Sequence, residues 1–379
     1  MTIVQKREAF WEKTRELLSG LTNPIPEPLL KIRVICAIEY DSLEPDRMHK
    51  REQGSRVKIV STGFYAPEKV LTNADLEKMV DTTDEWIVSR SGVKERRIAS
   101  AEQATSDLCI EAARRALRNG HFKVEDIDLI IVATASPDTI FPSTACWVQE
   151  GLKADHVAAF DIGAGCTGFI YGLILAESLI LSGVSKRILL IGGEVLSKIT
   201  NWKDRATCVL FGDAAGAAVL EESRDDSGIL SHYWKADGSL AGLLFQPAGG
   251  TRMPASVQTV AGDLHYIQMK GNEVFKHAVK RMGESAVEAL KRAGLQKEDI
   301  RWFIPHQANT RIIDATAERL QVPPEKVYVN IQRYGNVSVA CIPICLHELH
   351  VAGKLKKGDI ILLDAFGAGF TWAAVAYRW

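Results

Sequence analysis

The sequence predicts an α/β protein made of two related halves. Three observations carry this: strand-like and helix-like segments alternate, long stretches of the first half have echoes in the second, and glycine breaks recur at matching places. The first echo pairs AARRALRNGHFKVEDIDLIIVATAS (112–136) with SAVEALKRAGLQKEDIRWFIPHQAN (285–309). Each reads as an alanine-rich helix, a glycine break, Glu-Asp-Ile and an apolar strand. The second pairs GCTGFIYGLILAESLILSGVSKRILLIGGE, from Gly165, with GNVSVACIPICLHELHVAGKLKKGDIILLDAFG, from Gly335. Both run through a helix, break at Gly183 or Gly353, and enter a strand. The shifts, 173 and 170 residues, fit one duplicated unit.

Composition bounds the function. The chain has 379 residues, 46% hydrophobic and 25% charged, with a formal net charge of -1. That describes a globular protein with ample core and gives no reason to expect nucleic acid. Seven cysteines, an odd number without metal-ligand spacing, predict free thiols, a reducing, cytoplasmic setting and no metal. No apolar run is long and charge-free enough for membrane insertion, and no signal-peptide pattern opens the chain.

In chain order, residues 1–55 read as an N-terminal arm of unknown role. KREAFWEKTRELLSGL patterns as a short amphipathic helix, NPIPEPL breaks it, and EPDRMHKREQGS reads as a linker. Residues 56–225 and 226–379 are the two halves. Within the first, HVAAF reads as a buried strand, Gly163 and Gly165 permit a sharp bend, and Thr167 to Ile180 reads as a helix. Cys166 then sits at a strand-to-helix turn. The positive end of the helix dipole favours thiolate there, and first-turn N–H groups can bind an oxyanion.

In the second half, His306 follows an apolar strand and precedes a helix, where ligand sites of α/β sheets tend to lie. Asn336 occupies the elbow equivalent to that of Cys166, as a helix N-cap or as an amide donor into a site. Cys341 and Cys345, spaced as helical neighbours in an apolar segment, read as core. If the halves pack about a pseudo-twofold axis, Cys166, His306 and Asn336 converge. Cys, His and Asn admit two chemistries. In a papain-like hydrolase, His deprotonates Cys while Asn orients His. In a carbon–carbon bond-forming enzyme, Cys holds an acyl group while His and Asn stabilise an enolate. The local signature around a papain-like Cys is absent here.

From about Arg56 to Trp379 the chain resembles the β-ketoacyl-[acyl-carrier-protein] synthase III family of thiolase-fold condensing enzymes. The motifs are DTTDEWIVSRSGVKERRIA, FPSTACWVQ, FDIGAGCTGFIYGL, FGDAAGAAVL, GNEVFK, PHQANTRII, YGNVSVACIPICL and AFGAGFTW, in that order. The resemblance implies a thiolase-like fold, two duplicated halves in a five-layered α/β/α/β/α arrangement, and a homodimer. It implies a ping-pong condensation without cofactor: Cys166 takes an acyl group from acyl-CoA, and malonyl-acyl carrier protein then loses CO2 and attacks it. His306 and Asn336 match the pair that stabilises the enolate. Backbone N–H groups of Cys166 and Ala368 would form the oxyanion hole, with alanine where the family commonly has glycine.

The family's CoA contacts map to Trp86 and Arg205, which sandwich the adenine, and to Arg90, Asn309 and Gly271. Carrier docking maps to Gln307, Ala308, Asn309, Thr310 and Arg311, followed by Glu318-Arg319 where relatives often have two basic residues. Phe141 matches an aromatic that closes the acyl pocket across the dimer. Val337 and Val339 replace small or hydroxyl residues near Asn336. A relative passing its acyl group to another acceptor in secondary metabolism is the alternative reading.

Overall fold

The computed structural model describes residues 55–379; apart from Ser55, the expected arm with its helix and linker lies outside the described residues. The strands in chain order are β1 (Val57–Tyr65), β2 (Val70–Thr72), β3 (Glu95–Arg97), β4 (Leu129–Ala133), β5 (Ala158–Ile162), β6 (Arg187–Val195), β7 (Asp213–Glu222), β8 (Gly228–Ala236), β9 (Leu244–Phe245), β10 (Gln268–Met269), β11 (Ile300–Pro305), β12 (Ile360–Gly367) and β13 (Thr371–Arg378). The helices of eight or more residues are α1 (Asp84–Ser91), α2 (Thr105–Asn119), α3 (Thr144–Leu152), α4 (Gly168–Leu181), α5 (Gly271–Ala293), α6 (Thr310–Leu320) and α7 (Cys341–Val351).

The duplication is visible in the sheets. The first has the order β1-β7-β6-β4-β5 and the second β8-β13-β12-β11 when read from the corresponding edge. Strand directions match pair by pair: β1/β7 and β8/β13 are antiparallel, β7/β6 and β13/β12 antiparallel, β6/β4 and β12/β11 parallel. Only β5 has no counterpart. Expected as a buried strand, it is instead a sheet edge whose residues are mostly half-exposed, because β4 covers one side alone.

Five layers follow from where the apolar faces point. Helices α4 and α7 are apolar nearly all round, as helices buried on every side must be. Phe169 and Leu173 of α4 and Ile342 and Leu349 of α7 share one core with Leu190 of the first sheet and Ile361 and Val375 of the second. On the outer face of the first sheet, Leu108 and Ala112 of α2 and Val148 of α3 pack on Ile130 and Leu189. Leu290 of α5 and Leu320 of α6 do the same on Phe303 and Leu362. Neither α4 nor α7 has a side-chain N-cap bond. Packing holds them instead, each fully buried Leu, Ile or Phe contributing roughly 1.5–3 kcal/mol.

The glycine breaks behave alike in both halves. Gly183 and Gly353 lie just past the ends of α4 and α7 at φ +76° and +65°, in the left-handed conformation that closes a helix. The two elbows differ, however. A 3-10 turn, Gly165–Thr167, leads into α4, and a matching turn, Ser338–Ala340, leads into α7. Cys166 lies inside the first turn, whereas Asn336 lies two residues ahead of the second. Helix α7 has 11 residues to the 14 of α4 because it starts three positions later, the equivalent positions Ser338–Ala340 forming the 3-10 turn.

Candidate active site

The nucleophile elbow is built by main-chain contact. Gly165 has φ +51°, and a Cβ there would lie 2.7 Å from the Ala368 nitrogen; a Cβ on Gly367 would lie 2.5 Å from the Cys166 nitrogen. Glycine at both positions lets the turn before α4 touch the loop after β12, so the Cys166 and Ala368 N–H groups lie close together. Among the described residues no acceptor meets the Ala368 N–H. The φ of Ala368 lies outside the left-handed region, so alanine needs no strain to hold this position.

His306 follows β11 directly, its backbone N–H donating to the Asp364 carbonyl at 2.7 Å. Its ring is buried, with Nδ1 3.1 Å from Cys341 Sγ. Asn336 is fixed at every polar atom but one. Its N–H donates to the Leu210 carbonyl at 2.8 Å and its carbonyl accepts from Gly212 N–H at 3.1 Å. Its side-chain Oδ1 accepts from Ser338 N–H at 2.9 Å, which leaves Nδ2 as a free donor among the described residues. Gly335 permits this approach: at φ +67°, a Cβ there would stand 2.7 Å from the Leu210 carbonyl oxygen. Both readings of Asn336 thus hold, since one end of its amide caps the turn and the other is available.

The electrostatics correct one expectation. A helix N-terminus favours thiolate, yet burial pushes the Cys166 thiol up to about 12, against a smaller lowering by the Ser338 hydroxyl. Burial likewise lowers His306 to about 4. The resting site therefore holds a neutral thiol and a neutral imidazole, not the thiolate–imidazolium pair of a cysteine hydrolase. Loss of hydration at this depth outweighs the helix dipole.

Cys166, His306, Asn336 and Ala368 line one cavity of about 440 Å³. Its walls are largely apolar, including Phe366, Met282 and Ile312, while half-buried Trp86 and exposed Arg90 and Arg311 stand on its solvent side. Gly271, Ala308 and Asn309 also line it. Asn309 is the N-cap of α6: Oδ1 accepts from Arg311 N–H and Nδ2 donates to the Arg90 carbonyl, both at 2.8 Å, leaving one amide hydrogen. At Gly271 a Cβ would meet only Met269 Cε, at 3.8 Å, so no protein atom requires the glycine.

Four predicted residues lie off the cavity. The Arg205 guanidinium rests on the Trp86 ring, 4.8 Å from its centroid, and donates to the Asp81 carbonyl at 2.8 Å; the slot expected for a base is closed by the cation itself. Phe141 is 84% exposed, on the surface. Thr310 packs its methyl against Gly92. Gln307 is a correction: it is buried, its Nε2 donating to the Pro305 and Tyr328 carbonyls and its Oε1 accepting from Asn330 N–H. An amide committed to three backbone groups has nothing left for a docking partner. Of the charged pair on α6, Glu318 and Arg319 are both exposed, and the Arg319 stem lies across Gly283. Val337 and Val339 are buried beside Asn336.

Sequence reasoning missed three residues that touch the site. Ser338, held at φ +47°, donates its hydroxyl to Cys166 Sγ at 3.3 Å. Glu194 is fully buried behind it, accepting from Ser136 Oγ at 2.6 Å and Ala135 N–H at 3.1 Å; burial pushes its carboxyl up, toward the protonated acid. Cys341 was expected as core, and is buried, but its sulfur faces His306.

The chain is similar to known proteins over most of its length. Two family models match, 3-oxoacyl-[acyl-carrier-protein] synthase III over residues 160–238 and its C-terminal region over 290–379. A β-ketoacyl-[acyl-carrier-protein] synthase III of Caldanaerobacter subterraneus subsp. tengcongensis is 57% identical over 321 residues, covering 85% of this chain and 97% of the relative. One from Desulfitobacterium hafniense is 53% identical over 323 residues, covering 85% and 98%. Among solved structures, the 3-oxoacyl-[acyl-carrier-protein] synthase III of Aquifex aeolicus superposes with a TM-score of 0.79 at 52% identity, covering 85% of this chain and all of that one. The priming β-ketosynthase of the R1128 polyketide pathway superposes with a TM-score of 0.78 at 32% identity, covering 85% and 96%.

Proposed function

The chain belongs to the β-ketoacyl-[acyl-carrier-protein] synthase III family, and from that premise we propose that Cys166, His306 and Asn336 divide the family reaction between them. The reaction is the decarboxylative condensation of an acyl-CoA with malonyl-[acyl-carrier-protein], the step that initiates fatty acid synthesis. Its products are 3-oxoacyl-[acyl-carrier-protein], CO2 and CoA.

In the first half-reaction the Cys166 sulfur attacks the acyl-CoA carbonyl. The N–H groups of Cys166 and Ala368 hold the oxyanion. CoA leaves as its thiolate and takes up the proton that Cys166 gives up, leaving an acyl thioester on the enzyme. In the second, the malonyl carboxylate departs as CO2 and its bonding pair becomes an enolate. His306 Nε2–H and Asn336 Nδ2–H donate to the enolate oxygen. The enolate carbon attacks the Cys166 thioester, and the expelled thiolate is reprotonated from water. No metal or cofactor enters this route.

The observation that supports this division is that a single cavity brings together a sulfur and, among the described residues, an unpartnered Ala368 N–H and a free Asn336 amide donor, with both titratable groups neutral at rest. Neutral donors suit a ligand whose charge develops only during reaction. The same cavity would take the pantetheine arm past Gly271 and Asn309. Arg90, Trp86 and Arg205 would meet the nucleotide, with Arg205 leaving the indole to admit the base. The acidic carrier would dock around exposed Arg311, with half-buried Ala308, Asn309 and Thr310 beside it. Two copies would pair along β5, bringing Phe141 of each to the other's acyl pocket, in a cytoplasmic homodimer.

The test is stepwise. The protein is incubated with acetyl-CoA or isobutyryl-CoA, the added acyl mass is mapped by peptide mass spectrometry, and malonyl carrier protein is then supplied. An adduct on Cys166 that disappears as 3-oxoacyl carrier protein forms is the expected result. Acylation at another residue, or condensation by a Cys166→Ala protein at the wild-type rate, would refute the assignment.

A further inference from the structure

We propose that Cys341 is a positioning residue that sets the tautomer of His306: its S–H donates to Nδ1, which leaves the imidazole hydrogen on Nε2, directed at the cavity. The inference rests on the role given to His306 above and adds the group that makes the role possible.

Cys341 opens α7 and is 1% exposed. Two polar contacts reach its sulfur. The Gln307 backbone N–H donates to it at 3.4 Å, and His306 Nδ1 lies 3.1 Å away. Gln307 can only donate, so it occupies a sulfur lone pair. The thiol's own hydrogen then has one acceptor within reach among the described residues, and that acceptor is Nδ1. With the opposite tautomer, two N–H groups would converge on the sulfur and the S–H would be buried without a partner. A lost partner in such surroundings costs more than the bond itself contributes in water.

Both groups keep the forms this requires. Burial pushes the Cys341 thiol up to about 12, so it stays protonated. The neutral ring of His306 carries a single N–H. With Nδ1 as acceptor, that hydrogen is on Nε2 and meets an oxygen that gains negative charge. The reverse tautomer would present a lone pair to the same oxygen and oppose the enolate. Gln307 completes the arrangement. Its side chain ties the strand end to Asn330 and Tyr328, and its backbone N–H orients the sulfur.

The experiment reads the tautomer directly, in the resting full-length protein, by proton–nitrogen correlation NMR of ¹⁵N-histidine-labelled samples, with the His306 signal assigned by its loss in His306→Gln. Wild type should show Nε2 protonated and Nδ1 unprotonated. Cys341→Ser, whose hydroxyl can donate to Nδ1, should keep that pattern; Cys341→Ala and Cys341→Val should move His306 toward the Nδ1–H form. Decarboxylation of malonyl carrier protein should fall roughly 10-fold in the Ala and Val proteins and recover to within about 3-fold in the Ser protein. The rate of Cys166 acylation should be unchanged in all. An Nδ1–H tautomer in wild type overturns the proposal, and so does a Cys341→Ala protein with wild-type tautomer and rate. If the Ala and Val proteins fail to fold, the wild-type and Cys341→Ser spectra still decide it. A wild-type Nε2–H signal combined with decarboxylation untouched by His306→Ala would uphold the Cys341 contact and refute the enolate role instead.

Discussion

Asn336 has its Oδ1 occupied by Ser338 N–H and its Nδ2 free among the described residues, so aspartate at this position keeps the acceptor that holds the turn and replaces the donor with an oxygen that, when ionised, repels the enolate. Asn336→Asp should lower condensation by about 10²–10³-fold. Acyl transfer to Cys166, followed by mass spectrometry, should stay near the wild-type rate; equal loss of both steps would contradict separate roles. Asp364 makes a different case. It is fully buried on β12, accepts from Ser285 Oγ at 2.8 Å, and its Oδ2 has no partner among the described residues. Burial holds its carboxyl well above the usual carboxylate range, so the folded protein retains a proton that the unfolded chain releases near pH 4. Where the native state binds the extra proton, stability falls as pH rises. Asp364→Asn, of the same shape and without that proton, should unfold at a higher urea concentration than wild type at pH 8. The two should agree within about 1 kcal/mol at pH 4. A constant difference across that range would show that Asp364 does not titrate as described.

Among elements, α7 ties down the approach to the site, because Glu348 near its end gathers four donors. These are Tyr328 OH at 3.0 Å, Asn330 Nδ2 at 2.9 Å, and Arg333 Nη2 and Tyr334 OH at 2.8 Å. They fasten the segment that leads into Asn336. Glu348→Ala should cost about 2–4 kcal/mol in urea unfolding and impair condensation more than acylation. Elements of this kind were largely legible beforehand. The helices behind Gly165 and Gly335, their glycine ends and the strands after them follow from apolar runs and left-handed glycines, which are local signals. What escaped was tertiary. Cys341 looks like packing in any apolar run, and its burial does not contradict that; only the fold brings it to His306, 35 residues earlier in the chain. Gln307 is assigned to docking because the segment from Gln307 to Arg311 resembles the family's docking stretch, whereas its amide is consumed by backbone groups that close around it. For Cys166, local grammar gave the right turn and the wrong protonation, because hydration loss depends on everything packed around the turn.

At the scale of the molecule, the unmatched strand β5 leaves the first sheet with an open edge, beside Ile140, 78% exposed, Phe141 and the half-exposed Trp147. Open edges and apolar surface of this kind ask for a partner. Sedimentation velocity should show wild type at twice its 41.7 kDa chain mass. Phe141→Glu combined with Trp147→Glu should shift it toward a single chain, and a monomeric wild type would remove the proposed pairing. Within the chain, the two halves answer a different question, how a doubled framework comes to hold one site of unlike parts. Perfect repetition would have set two identical loops face to face, each offering the same group. The later start of α7, with Ser338–Ala340 wound as a 3-10 turn where α4 is already helical, prevents this. One loop presents a main-chain N–H and a sulfur, the other reaches forward with a side-chain amide, and a symmetric scaffold acquires an attacking side and a receiving side.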